Sequence, residues 1–183
     1  MTGAASRSRS MECPDHVLHG ELVMLRPATH ADVPALVAIR STPEVRSRWG
    51  GDDLEAELHE DLVTDEIELL AIVLDGRVVG ALQWQAEDDP MYRHAGMDIY
   101  VDPSVQRRGV GADAIRTLAR HLIQEHGHHR LVIDPAADNA PAIRCYSKVG
   151  FRPVGVMRQY ERGSDGTWHD GLLMELIADE LTD

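Results

Sequence analysis

Gln106-Arg107-Arg108-Gly109-Val110-Gly111 is the stretch on which the reading of this 183-residue chain turns. It follows a β-rich run, residues 94–101 (HAGMDIYV), closed by Asp102-Pro103. It opens an amphipathic helix expected from Gly109 to about Glu125, with Val110, Ala114, Ile115, Leu118, Leu122 and Ile123 on one stripe. The first N–H groups of a helix have no intrahelical partner, and the helix dipole adds partial positive charge there. Glycines at 109 and 111 let an anion reach the backbone without meeting a Cβ, and Arg107 and Arg108 offer charge-assisted hydrogen bonds. Such a loop suits a pyrophosphate. A dinucleotide fingerprint would need a third glycine, and Ala112-Asp113-Ala114 follow instead. A plain helix entry, with glycines for turning only, is the competing reading of the loop taken alone.

Upstream, Leu22–Leu25 reads as a short strand ended by Pro27, and Thr29 with Asp32 forms a capping-box pattern opening a helix through Arg40. A second helix is expected from about Leu54 to Val63. Leu69–Leu74 and Arg77–Gln85 are β-rich and separated by Asp75-Gly76, a strong hairpin pair, so 94–101 is the third strand of a meander. Downstream come strand 130–133, helix 139–149, strand Phe151–Arg158, a turn at 163–166 and a last strand near Gly171–Ile177. A meander followed by alternating strands and helices indicates one α/β unit, a mixed sheet with helices on its faces. Residues 1–19 are small, polar and aperiodic and are expected to form a mobile tail ahead of a domain over 20–183.

Composition narrows the function. Thirty-one acids against eighteen bases leave a formal charge of −13, which repels nucleic acid and attracts cationic small molecules or basic partners. No apolar run is long enough to span a membrane, and no secretory leader is visible. Cys13 and Cys145 make no disulfide framework, so a reduced, cytoplasmic setting is expected. His126-Gly127-His128-His129 lies at a helix end, where histidine caps carbonyls, and lacks the companions of a tetrahedral metal set, so no metal is expected.

Asn139, Ala142, Tyr146 and Gly150-Phe151, taken in order with the 106–111 loop, resemble the GCN5-related N-acetyltransferases over about residues 21–177. The resemblance implies a single domain with a mixed, mostly antiparallel sheet. Its fourth and fifth expected strands, 94–101 and 130–134, would splay apart with the help of a bulge and admit acetyl-CoA as cosubstrate. It implies that backbone of Ile99, Tyr100 and Val101 lies along the pantetheine arm, as in edge-strand addition. It further implies that Gln106, Arg107, Arg108, Gly109, Val110, Gly111 and Ala112 hold the diphosphate, with Asn139 and Tyr146 completing the cofactor site. Tyr146 would then protonate the leaving thiolate. Cys145, with no evident base in pattern, is read as a packed thiol rather than a nucleophile.

Gly96-Met97-Asp98, Asp134-Pro135 before Asn139, and Ala142-Ile143-Arg144-Cys145-Tyr146 resemble the aminoglycoside 6'-N-acetyltransferases within that family. Trp49-Gly50-Gly51 and Gln83 match the same subfamily's acceptor side. The resemblance implies that Trp49, Gln83, Asp98 and Asp134 bind a cationic amine, with Asp98 as base; a capping role before Pro135 competes for Asp134. Residues 52–68 carry nine acids and no Lys or Arg, which would steer a polycation, or simply solvate a helix face. Leu25-Arg26-Pro27 and Pro43-Glu44-Val45-Arg46 also resemble ribosomal-protein acetyltransferases. Acetylation of another amine therefore stands as an alternative, as does an acetyl-CoA-binding module without catalysis. A monomer or a homodimer fits either reading.

Overall fold

The computed structural model describes residues 17–163 and 165–182. Its strands are β1 Leu18–His19, β2 Met24–Pro27, β3 Glu68–Leu74, β4 Arg77–Glu87, β5 His94–Val101, β6 Arg130–Ile133, β7 Arg152–Arg162 and β8 Trp168–Ile177. Its helices are α1 Val33–Arg40, α2 Pro43–Trp49, α3 Leu54–Asp61, α4 Val110–Gln124 and α5 Ala140–Val149. The strands make one sheet in the order β1-β2-β3-β4-β5-β6-β8-β7, antiparallel at every junction except β5 beside β6. This is the mixed α/β sheet expected.

Local chemistry accounts for the elements. Asp75 (φ 50°) and Gly76 (φ 76°) both take positive φ, the requirement of a two-residue hairpin, and set Leu74 opposite Arg77. The Thr29–Asp32 pair closes through the Asp32 carboxylate, which accepts from Thr29 N and Oγ1 at 2.8 and 2.9 Å. The turn it opens is a 3-10 turn over His30–Asp32, and α1 begins only at Val33. Arg26 forks onto the same carboxylate with two 2.7 Å bonds and holds Asp32 down at about 2. Helix α2 was not expected; Thr42 before Pro43, a cap position followed by proline at the first turn, is the pattern that marks it.

One apolar cluster lies on each face of the sheet. Val33, Leu36, Ile39, Val45, Leu58 and Tyr100 belong to the α1–α3 side. The larger cluster joins β1 and β2 to α4 and α5 through Leu18, Leu25, Trp84, Ile115, Leu118, Tyr146 and Phe151. The expected stripe of α4 is the buried one. Most of the expected tail lies outside the described residues, but its last two residues are β1, paired with Met24 and Leu25. Asp113 holds this edge. Its carboxylate accepts from the backbone N–H groups of Glu21, Leu22 and Val23 at 3.0, 2.8 and 2.9 Å, locking the β1–β2 turn onto the first turn of α4.

β5 and β6 pair only at Ala95↔Leu131 and Gly96↔Val132 and then diverge, which is the expected splay. The bulge expected to help it is absent: β5 pairs with β4 in unbroken register from Gly80↔Val101 to Glu87↔His94. The opening comes from the other strand. Past Ile133 the chain leans onto β8, where Leu172 N–H donates to Pro135 O, Ala136 bridges Gly171, and Ala137 N–H donates to Asp170 O.

Candidate active site

The divergence leaves one edge of β5 open. Asp102 N–H donates to Val79 O on β4, so by period-two alternation the N–H groups of Val101 and Ile99 face the opening. Gln106 confirms the direction, because its Nε2 donates to Val101 O at 3.0 Å. That bond gives Gln106 a structural task, holding the loop to the end of β5, in addition to any contact with a ligand. Tyr100 offers only backbone here. Its ring is buried in the α1–α3 cluster, and its hydroxyl is partnerless among the described residues.

The loop after β5 curls tightly. Arg107 (φ 60°) and Gly109 (φ 88°) are both left-handed, a backbone pattern that builds concave anion sites. The first helical bond of α4 runs from Asp113 N–H to Gly109 O, so the amides of Val110, Gly111 and Ala112 precede it. Gln106 to Gly109 are exposed. Gly111 is informative in another way. A Cβ there would meet nothing closer than 3.7 Å, the Cys145 sulfur, so the fold itself does not demand glycine at this position. An elongated thiol cofactor with a diphosphate fits this edge and loop.

Below the open edge lies a cleft of about 260 Å³ lined by residues of α2, β5, the end of β6, α5 and β7. Asp98 and Asp134 meet there. Burial, with the Asp134 charge second and Glu161 adding, pushes Asp98 up to about 6, while Gln83 Nε2, donating to it at 3.5 Å from the paired β4 position, opposes the rise. Burial also raises Asp134, against a hydrogen bond from the Tyr160 hydroxyl. Tyr146 lines the same cleft while only 7% exposed. Burial, with the Cys145, Asp98 and Asp134 charges adding, raises the pKa of its hydroxyl, keeping it a proton donor. Burial likewise raises the Cys145 thiol, consistent with packing rather than nucleophilic use.

Trp49 forms part of the cleft wall, set edge-on to Tyr100 at 4.8 Å, with the Arg40 guanidinium 5.7 Å from its ring centroid. Arg40 is buried and bonded to Glu57 at 3.0 Å, which gives one of the nine acids of 52–68 a structural partner. Asp53 caps α3 through Ala56 N–H, and none of the nine lines the cleft. Asn139 lines it, but its Oδ1 accepts from Ala142 N–H at 3.2 Å, so the side chain is first a cap for α5. Gln83 reaches the site only through Asp98. Sequence reasoning did not single out Arg48, Tyr160 or Glu161, which line the cleft as well. Arg48 had a trace in the sequence, one residue before Trp49; Tyr160 and Glu161 did not, since only the path of β7 brings them in.

The histidines form a separate packed group. His121 and His126 contact through Nε2 atoms at 3.1 Å, and Trp84 stands edge-on to His126 and His128. Among the described residues no group of three or more His, Cys, Asp or Glu is arranged to hold a metal, and no helix is long and apolar enough to cross a membrane.

Residues 35–151 match the acetyltransferase (GNAT) family. The chain is 26% identical over 155 residues to an aminoglycoside N(6')-acetyltransferase type 1 of Klebsiella pneumoniae, covering 74% of this chain and 76% of that protein. It is 32% identical over 128 residues to a mycothiol acetyltransferase of Clavibacter sepedonicus, covering 68% of this chain and 40% of that protein. In structure it is similar to AAC(6')-Ib in complex with paromomycin and acetyl-CoA, with a TM-score of 0.72, 22% identity, and coverage of 87% of this chain and 96% of that one. With the splayed strands, the left-handed loop and the family match in agreement, the chain belongs to the GNAT family and is an N-acetyltransferase that uses acetyl-CoA.

Proposed function

We propose that the acceptor is a cationic aminoglycoside and that its 6'-type amino group is acetylated by direct transfer in a ternary complex, conferring resistance. The observation that carries this reading is the meeting of Asp98 and Asp134 in one cleft with no Lys or Arg bonded to either among the described residues. The 26% identity with an aminoglycoside acetyltransferase supports it. Acetyl-CoA supplies an acetyl group activated as a thioester. The amides of residues 107–112 hold its diphosphate, and the N–H groups of Ile99 and Val101 hold the pantetheine arm. An ammonium is not a nucleophile, so a base must first take its proton. Asp98, poised near 6, is largely ionised at neutral pH yet basic enough to do so, directly or through a water. Tyr146, held protonated by burial, donates to the departing sulfur.

Thiol release from acetyl-CoA, followed over a panel of aminoglycosides with and without a 6'-amine, kasugamycin-like aminosugars, spermidine and ribosomal-protein peptides, tests the reading. Turnover confined to aminoglycosides that carry the 6'-amine supports it. Turnover only on peptides or simple amines overturns the acceptor assignment. A different small amine is the second reading, favoured by the 32% identity with mycothiol acetyltransferase. Cofactor binding without turnover of any acceptor would leave a non-catalytic module.

A further inference from the structure

β7 does not run straight past the cleft. Its register with β8 shifts between Met157 and Glu161, and Gln159 at φ 51° is the residue that turns. Asp170 fixes the turn, its Oδ1 accepting from Gln159 N–H at 2.8 Å. Gly171 makes room for it: a Cβ there would stand 2.9 Å from the Tyr160 ring. The irregularity brings Tyr160 and Glu161, consecutive residues, to the same cleft as Asp98 and Asp134. Tyr160 donates to Asp134, while Glu161 has no ion-pair partner among the described residues. The nearby Arg162 turns away, its Nε donating to Gly166 O at 3.3 Å. Arg48, the cation in the cleft lining, is paired with Asp138. Tyr146 is a further sign of a ligand: a side chain only 7% exposed, it lines the cleft and its hydroxyl makes no hydrogen bond to a described residue.

We infer that Glu161, delivered by the β7 irregularity, is a specificity-determining residue that holds a second ammonium group of the acceptor while Asp98 and Asp134 hold the reacting amine. The acceptor class is then an amine with at least two separated positive charges. The inference rests on the acceptor reading above and deepens it. A lone α-amine, as on a peptide N-terminus, would leave this carboxylate unused.

The test is calorimetric titration of neamine, a tetra-amine with a 6'-amino group, into protein saturated with coenzyme A, for the wild type, Glu161→Gln and Glu161→Asp. The expected result is a five- to tenfold weaker neamine affinity in Glu161→Gln, as for loss of one partly exposed ion pair, with partial recovery in Glu161→Asp and unchanged coenzyme A affinity. Neamine affinity that stays put in Glu161→Gln overturns the inference. So does a parallel loss of coenzyme A affinity, which would mark a structural role, or a wild type that does not bind neamine. Turnover is measured on the same samples. Neamine bound but never acetylated sinks the transfer reading alone; neamine acetylated with an unmoved affinity in Glu161→Gln sinks the Glu161 assignment alone.

Discussion

The two ends of the β5–β6 junction follow opposite rules. At the closed end, Ala95 and Gly96 pair with Leu131 and Val132, and nearby His126 and His128 pack against Trp84. His128 is 1% exposed, and burial first, then the Arg93 charge, lowers it to about 4, so it sits there neutral. At the open end the strands part, backbone N–H groups face the gap, and Asp98 and Asp134 collect in a cleft. One end is packed shut, so tightly that Trp84 Nε1 and both ring nitrogens of His128 are buried without a hydrogen-bond partner among the described residues. The other gathers its polar groups around an open cleft. Burial acts on a titratable group at each end, with opposite effect on stability in acid, because one is a base kept neutral and the other an acid whose ionisation is resisted.

The largest expected effect is at the open end. Asp98→Asn is expected to lower kcat by at least about a hundredfold with coenzyme A affinity unchanged, checked by steady-state kinetics and calorimetry; an equal loss of both would remove the base assignment. In the wild type, kcat/KM is expected to rise with pH through about 6 and then level, as Asp98 ionises. Gly111→Val comes next. Coenzyme A affinity is expected to fall by roughly tenfold or more, and since a Cβ has ordinary room within the fold, Gly111→Ala serves as the companion variant that keeps its melting temperature. Tyr146→Phe is expected to reduce turnover by about tenfold without loss of cofactor affinity, since the ring keeps its packing.

The closed end answers to pH rather than to substrate. An unfolded His128 binds a proton near 6.5 and the folded one only near 4, so stability is expected to fall as pH drops through that window, by about 3 kcal/mol. His128→Phe should flatten this loss in denaturant melts taken between pH 7 and 4. Asp98 works the other way: its folded pKa is raised, so its ionisation costs stability that returns as pH falls through about 6 toward 4. Asp98→Asn should therefore steepen the acid loss while making the protein more stable near pH 8. If both variants shift the acid limb in the same direction, the contrast between the ends fails.

Local chemistry was legible in the sequence, and long-range geometry was not. Asp75-Gly76, the α4 stripe and the glycine loop act within a few residues, so residue type alone predicts their form. Asp98, Asp134 and Tyr146 were legible through the order of motifs and do meet in one cleft. Three features depend on distant backbone and leave little local mark. The cause of the splay is a lean of 135–137 onto β8, not a bulge in β5. Asp113 is spent on amides about ninety residues away. Tyr160 and Glu161 enter through one left-handed glutamine, a residue type that does not advertise a turn. The acidic segment 52–68 is the reverse case. Its charge is plain in sequence, yet Asp53 and Glu57 serve helix capping and Arg40 rather than the cleft.

A crystal structure of the protein grown with coenzyme A tests the central claim most directly. The account predicts the diphosphate on the amides between Arg107 and Ala112, and the pantetheine arm paired to the N–H groups of Ile99 and Val101 with its sulfur near Tyr146. Coenzyme A bound elsewhere, or those amides engaged by the protein while the ligand is present, would contradict it.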